Sequence, residues 1–215
     1  MKIKWLGLAS FLITSDSGVK IITDPFDTGN GLSYDQITES ADIVTVSHEH
    51  FDHNNVAAVE GNPQALRLGK PTEIKGVKFH SVASLHDDAG GRERGDNTIF
   101  CFEVDGIKFC HLGDLGHLPT DEQFKDIGPV DVLLAPVGGI YTVNAQVATQ
   151  IAARLKPKVI IPMHYRDGRC NFPISEVGEF LEGKDNVTRR DDSEIELSRE
   201  SLPDSTQIIV LKSAL

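Results

Sequence analysis

The run His48-Glu49-His50-Phe51-Asp52-His53 gathers three of the chain's eight histidines into six residues, directly after the apolar segment Asp42–Ser47. Side chains two apart on an extended segment point to the same side, so His48 and His50 can share one ion. Asp52 and His53 then turn toward a second. Imidazole and carboxylate together suit Zn, Mn or Fe, and the absence of cysteine from the run favours an open, catalytic position over a closed structural site. The remaining ligands must come from distant segments. The chain offers His86 in Leu85-His86-Asp87, Asp114 in His111-Leu112-Gly113-Asp114, and His164 in Pro162-Met163-His164-Tyr165. Each follows a predicted strand or loop end, where a sheet presents side chains to a shared edge.

The elements around these positions are short. Strand patterns run over Ile3–Leu8, Phe11–Thr14, Val19–Thr23, Ile43–Ser47, Val77–Val82, Ile99–Val104, Ile107–Leu112, Val132–Ala135, Val159–Ile161 and Ile208–Leu211. Asp16–Gly18 and Asp105-Gly106 separate strands at hairpin spacing. Ala145–Leu155 reads as a helix, with Asn144 as its N-cap and Pro157 beyond its end, and Ile174–Leu181 as a shorter one. The charged stretch Arg189–Pro203 reads as a solvated surface excursion. The 19 glycines and 10 prolines in 215 residues argue against a helical bundle, and one mixed α/β or α+β domain over residues 1–215 is expected.

The H-x-H-x-D-H run, the Gly-Asp-Leu-Gly around Asp114 and the Pro-Met-His-Tyr around His164 resemble the metallo-β-lactamase-fold hydrolases. The likeness extends over most of the chain, and is greatest to the branch with ascorbate phosphate lactonases and N-acyl-phosphatidylethanolamine phospholipase D. It implies a four-layer αβ/βα sandwich with two metal sites at one sheet edge. Carried over, His48, His50 and His86 would hold the first metal, Asp52, His53 and His164 the second, and Asp114 would bridge them. The implied chemistry is attack by a metal-bound hydroxide on an ester, lactone, amide or phosphodiester, with zinc foremost and Mn or Fe as alternatives. Asp52 could also orient the hydroxide. In flavodiiron relatives a Glu commonly stands where this chain has His50, which ranks a di-iron oxidoreductase second; a metal-binding module without catalysis is a third reading.

Around this set lie further candidates. His117 could donate a proton to a leaving group or support a ligand, His111 has the same two readings, and His80 reads as structural. Asp24, before Pro25, is a strand-end turn or a support for a ligating histidine. The segment Asp87–Asn97, with three glycines, reads as a mobile lid or a solvated loop whose Arg92 and Arg94 could grip a carboxylate or phosphate. Arg166, Arg169, Tyr141 and Tyr165 could reach the same substrate, a small or medium molecule that is anionic if the arginines bind it. The formal charge of −11 argues against nucleic acid as a partner. Cys101, Cys110 and Cys170 form no C-x-x-C pair and no even set, which suits a reducing compartment, and Cys170 reads as a plain thiol. Lys2 and Lys4 before Trp5–Ile13 imitate a signal peptide, but no cleavage site follows, and Val132–Ile140 is far short of a membrane span. A cytoplasmic protein is expected.

Overall fold

Ile21-Ile22 and Ile43-Val44 are fully buried neighbours, yet adjacent strand residues point to opposite faces. The strands that carry them must therefore be covered on both sides. The computed structural model describes residues 1–215 and satisfies this requirement with two stacked sheets. In chain order the elements are β1 (Lys2–Gly7), β2 (Ser10–Thr14), β3 (Lys20–Thr23), β4 (Ile43–Thr45), β5 (Gln64–Leu66), β6 (Thr72–Ile74), β7 (Val77–Leu85), β8 (Asp96–Val104), β9 (Ile107–His111), α1 (Asp121–Ile127), β10 (Val132–Pro136), α2 (Ala145–Leu155), β11 (Val159–Met163), α3 (Val177–Leu181), β12 (Val187–Arg189), β13 (Glu194–Glu196) and β14 (Gln207–Val210). One sheet runs β13-β1-β2-β3-β4-β5 and the other β12-β14-β11-β10-β9-β8-β7-β6. Hairpins make β1 to β3 and β6 to β9 antiparallel, whereas β3-β4-β5 and β9-β10-β11-β14-β12 are parallel.

Between the sheets, Ile3, Trp5, Phe11, Ile13, Ile21 and Ile43 meet the second sheet in one apolar cluster. Phe102 anchors it, with Phe79 on one side at 5.4 Å and the parallel ring of Phe109 on the other at 5.1 Å. α1 packs on β7, α2 on β10 and α3 on α2, which covers the outside of the second sheet. Outside the first sheet, Leu6, Leu8, Ile22, Val44 and Val46 lie under Phe26, Leu32, Tyr34 and Ile37. The fourth layer of the sandwich is thus mostly irregular chain with one 3₁₀ turn, Val56–Ala58. Pro25, Gly29 and Gly31 interrupt that segment and no helical period runs through it.

Three readings of the sequence need correction. Arg189–Pro203 is not only a surface excursion: Glu194-Ile195-Glu196 pairs with Lys2-Ile3-Lys4, burying Ile195 and pairing Lys2 with both glutamates. Charge masked an alternation of period two. α1 was overlooked although Thr120 and Gln123 form a reciprocal capping box. α3 starts at Val177 instead of Ile174 because the Ser175 backbone bonds to Gly138 and Arg166.

Phe102→Ala removes the middle ring of the aromatic row and should cost about 3–5 kcal/mol in equilibrium urea unfolding. Glu196→Gln, at an exposed ion pair, should change stability by less than about 1 kcal/mol in the same assay.

Candidate metal centre

Five strand ends meet at one edge of the sandwich. Asp24 follows β3, Ser47–His53 follow β4, His86 follows β7, Asp114 lies just past β9, and His164 follows β11. Their side chains collect around Asp114, which is only 2% exposed. Its Oδ2 lies 3.2 Å from His53 Nε2, 3.2 Å from His164 Nε2, 3.3 Å from His86 Nε2 and 4.0 Å from His48 Nε2. His48, His50 and His86 offer donor atoms within 4.8 Å of one another, and so do Asp52, His53 and His164.

A second set of contacts fixes which atoms face inward. His53 Nδ1–H donates to Asp24 Oδ2 at 2.9 Å, so its Nε2 lone pair is left for the centre. His48 Nδ1 meets Ser47 Oγ at 2.9 Å, and that hydroxyl donates to Asp24 Oδ2 at 2.5 Å. Asp24 therefore orients two imidazoles, one directly and one through Ser47, and its other oxygen accepts the Ser47 amide at 2.8 Å. Asn97 does the same for Asp114: its Oδ1 accepts the Asp114 amide at 2.9 Å while its Nδ2 donates to Ser84 Oγ and the Leu112 carbonyl. Gly113 is required there, since it has φ +58° and a Cβ would sit 2.4 Å from Asn97 Oδ1. His164, at φ +49°, takes a left-handed conformation that non-glycine residues seldom adopt, tied by its amide to the Leu8 carbonyl at 3.1 Å.

The electrostatics ask for a cation. Burial alone would push the Asp114 carboxyl up, but His164 and His53 outweigh it and hold the group well below the usual carboxylate range. Burial disfavours a charged His53, yet the Asp114 and Asp52 carboxylates overcome this and raise its pKa: they favour positive charge at Nε2, which a bound cation would supply in place of a proton. Burial, together with neighbouring imidazoles, holds His48 well below the ordinary histidine value and lowers His86, which favours the neutral rings whose lone pairs a metal needs. Asp114 Oδ1 and His53 Nε2 are buried without a hydrogen-bond partner, and so are His86 and His164 at Nδ1, the ring nitrogen not turned to Asp114. Unpaired buried polar atoms are costly, and a nitrogen and oxygen donor set without thiolate fits hard or borderline divalent ions.

The centre opens into a cavity of about 350 Å³ whose wall includes Phe51, Asp52, Arg94, Tyr141 and Phe172. The Arg94 guanidinium lies over the Tyr141 ring, 5.5 Å from its centroid, and Tyr141 meets Phe172 edge-on at 5.9 Å. Arg92 is exposed and does not line the cavity. Arg166 is paired with Glu176 at 2.9 Å, away from it. His117 is not brought to the centre either: Leu85 N–H donates to its Nε2 and its Nδ1–H donates to the Leu118 carbonyl, so both nitrogens serve the backbone. His111 spans the two sheets by donating to the Ala9 carbonyl at 2.9 Å. The segment read as a mobile lid or a solvated loop is wound around Asp87, whose carboxylate accepts the amides of Ala89, Gly91, Glu93 and Arg94. Ser47, Asn97, Phe51 and Phe172 escaped the sequence reading; none carries a spacing signal.

The profile of the β-lactamase superfamily domain matches residues 2–164, well over half of the chain. The chain belongs to the β-lactamase superfamily. A UPF0173 metal-dependent hydrolase of Carboxydothermus hydrogenoformans is 32% identical over 211 residues, covering 84% of this chain and 90% of its own. A relative of the same name from Thermococcus onnurineus is 31% identical over 191 residues, 77% of this chain and 84% of its own. A Thermotoga maritima structure assigned to the Zn-dependent hydrolases of the metallo-β-lactamase superfamily superposes with a TM-score of 0.81 at 38% identity, covering 98% of this chain and 97% of that one. This β-lactamase superfamily member is accordingly a metal-dependent hydrolase, and its two-sheet α/β architecture is that of the superfamily. No helix in it is long and apolar enough to cross a membrane.

Asp24→Asn keeps the size of the side chain but weakens its hold on His53 and Ser47. Metal affinity, measured by competition with a chromophoric chelator, should fall about 10- to 100-fold while unfolding stays cooperative.

Proposed function

We propose that the chain hydrolyses a small anionic substrate at a centre of two divalent metal ions, zinc foremost. His48, His50 and His86 would hold one ion, Asp52, His53 and His164 the other, and Asp114 both. The observation that carries this reading is the arrangement of two donor groups about one buried carboxylate oxygen, with two imidazoles of one group at 3.3 and 4.0 Å and two of the other at 3.2 Å. Such ions lower the pKa of water and polarise the oxygen of a scissile ester, lactone, amide or phosphodiester.

The chain's own residues do the rest. Asp52, at the cavity wall and 3.6 Å from His53 Nε2, is placed to accept a proton from the attacking water. Arg94, its amide held by Asp87 and its guanidinium 3.4 Å from the exposed Glu93 carboxylate, lines the cavity and would supply positive charge to an anionic group of the substrate. Tyr141 and Phe172 add aromatic surface to the cavity wall, against which an apolar part of the substrate would pack. His117, with both nitrogens engaged, has no part in this scheme. The three free thiols support a reducing, cytoplasmic setting.

Protein purified without added metal or chelator should carry two equivalents of divalent metal per chain, and Asp114→Ala one or none. The same variant should lose at least about 100-fold in kcat/KM across ester, lactone, amide and phosphodiester substrates; two retained equivalents with unchanged turnover would sink the assignment. Arg94→Ala should raise KM about 10-fold for anionic substrates and leave neutral ones unaffected, read from paired Michaelis curves.

A further inference from the structure

Cys101 and Cys110 stand directly opposite each other on β8 and β9, with His80 of β7 next in the row. The turn joining β8 and β9 is the two-residue Asp105-Gly106, both at positive φ, which pins the register. Lys108 gives its carbonyl to the Asp131 amide and its own amide to Asp131 Oδ2, and Leu112 donates to Leu134. With a period of two, Cys110 likewise turns its backbone toward β10, so it faces Cys101 as a non-hydrogen-bonded pair. In such pairs the Cα atoms are about 4.5 Å apart and the side chains closest. Disulfides need Cα separations of about 4.4–6.8 Å. The register of the pair thus meets the spacing a disulfide needs.

The surroundings distinguish the two thiols, since Cys101 lines a cavity and Cys110 does not. Cys101 lies at a cavity of about 260 Å³ outside the second sheet, shared with His80, Lys78, Lys108, Ile127 and Pro129. Contact with Cys110 and with the His80 ring draws the Cys101 thiol below its ordinary value despite its burial, while Cys110 is pushed well above. Lys78 and Lys108 add positive charge at the cavity, Glu103 opposes it, and the Asp126 carbonyl of α1 takes the His80 Nε2 hydrogen at 3.1 Å. Cys170 sits in the separate cluster outside the first sheet and cannot join the pair.

We propose that Cys101 and Cys110 are a peroxide-sensitive dithiol that closes to a disulfide across β8 and β9. The Cys101 thiolate attacks one oxygen of hydrogen peroxide, the O–O bond breaks, and the released hydroxide takes a proton to leave as water. The Cys110 sulfur then attacks the Cys101 sulfenic sulfur and displaces a second water, its thiol proton going with that oxygen. Two thiols are oxidised by two electrons and one peroxide is reduced to two waters. The step is independent of the metal centre.

The test uses the metal-loaded protein treated with a small excess of hydrogen peroxide, quenched, denatured and alkylated. Alkylatable thiols should fall from three to one. Tryptic peptides Gly95–Lys108 and Phe109–Lys125 should appear linked and separate on reduction with dithiothreitol. In Cys110→Ser, dimedone should trap a sulfenic acid on Cys101, whereas in Cys101→Ser the Cys110 thiol should remain alkylatable. Three thiols surviving in the treated wild type, or a linkage that includes Cys170 or joins two chains, would overturn the proposal. So would oxidation of Cys110 in Cys101→Ser at the wild-type rate.

Discussion

Asp114 buries a carboxylate among imidazoles, and much of the molecule is arranged to make that burial tolerable. An isolated charge at this depth would be prohibitively expensive, yet here one oxygen has three ring nitrogens within 3.3 Å. The strands deliver those rings from segments more than a hundred residues apart, Asn97 fixes the backbone of Asp114, and Asp24 sets the tautomers of the histidines opposite. The apolar sandwich supplies rigidity. The strand ends supply chemistry.

How much of this could be read in advance follows the range of the interactions. His48 to His53 announce themselves because ligands two residues apart on an extended segment share a side, a constraint that local sequence carries. His86, Asp114 and His164 were legible once strand ends were located. Asp24 was ambiguous, since its value lies in reaching Ser47 and His53 across the edge. Asn97 and Phe172 act through tertiary contacts with no periodic trace. The cysteine pair was hidden for another reason: spacing along the chain says nothing of cross-strand register until a turn is counted residue by residue.

The Asp87 loop shows an order that composition does not carry. Three glycines and alternating charges suggest a segment free to open, but one carboxylate accepting four amides converts those glycines into the turns of a compact loop. Hydrogen bonds from those amides hold Asp87 ionised, far below the usual carboxylate range. Arg94 emerges from the loop in a fixed place, above Tyr141.

The gathered side chains are also divided between the layers: Asp24 and His48 to His53 hang from the first sheet, His86, Asp114 and His164 from the second. Elsewhere the two layers meet largely through interlocked apolar side chains, which fix the fit by shape and not by bond direction. A slip of one sheet along the other by a single residue, about 3.3 Å, would exceed the tolerance of every bond around Asp114. The centre thus works as a gauge block for the sandwich, adding directional contacts to an alignment that the interlocked core already sets.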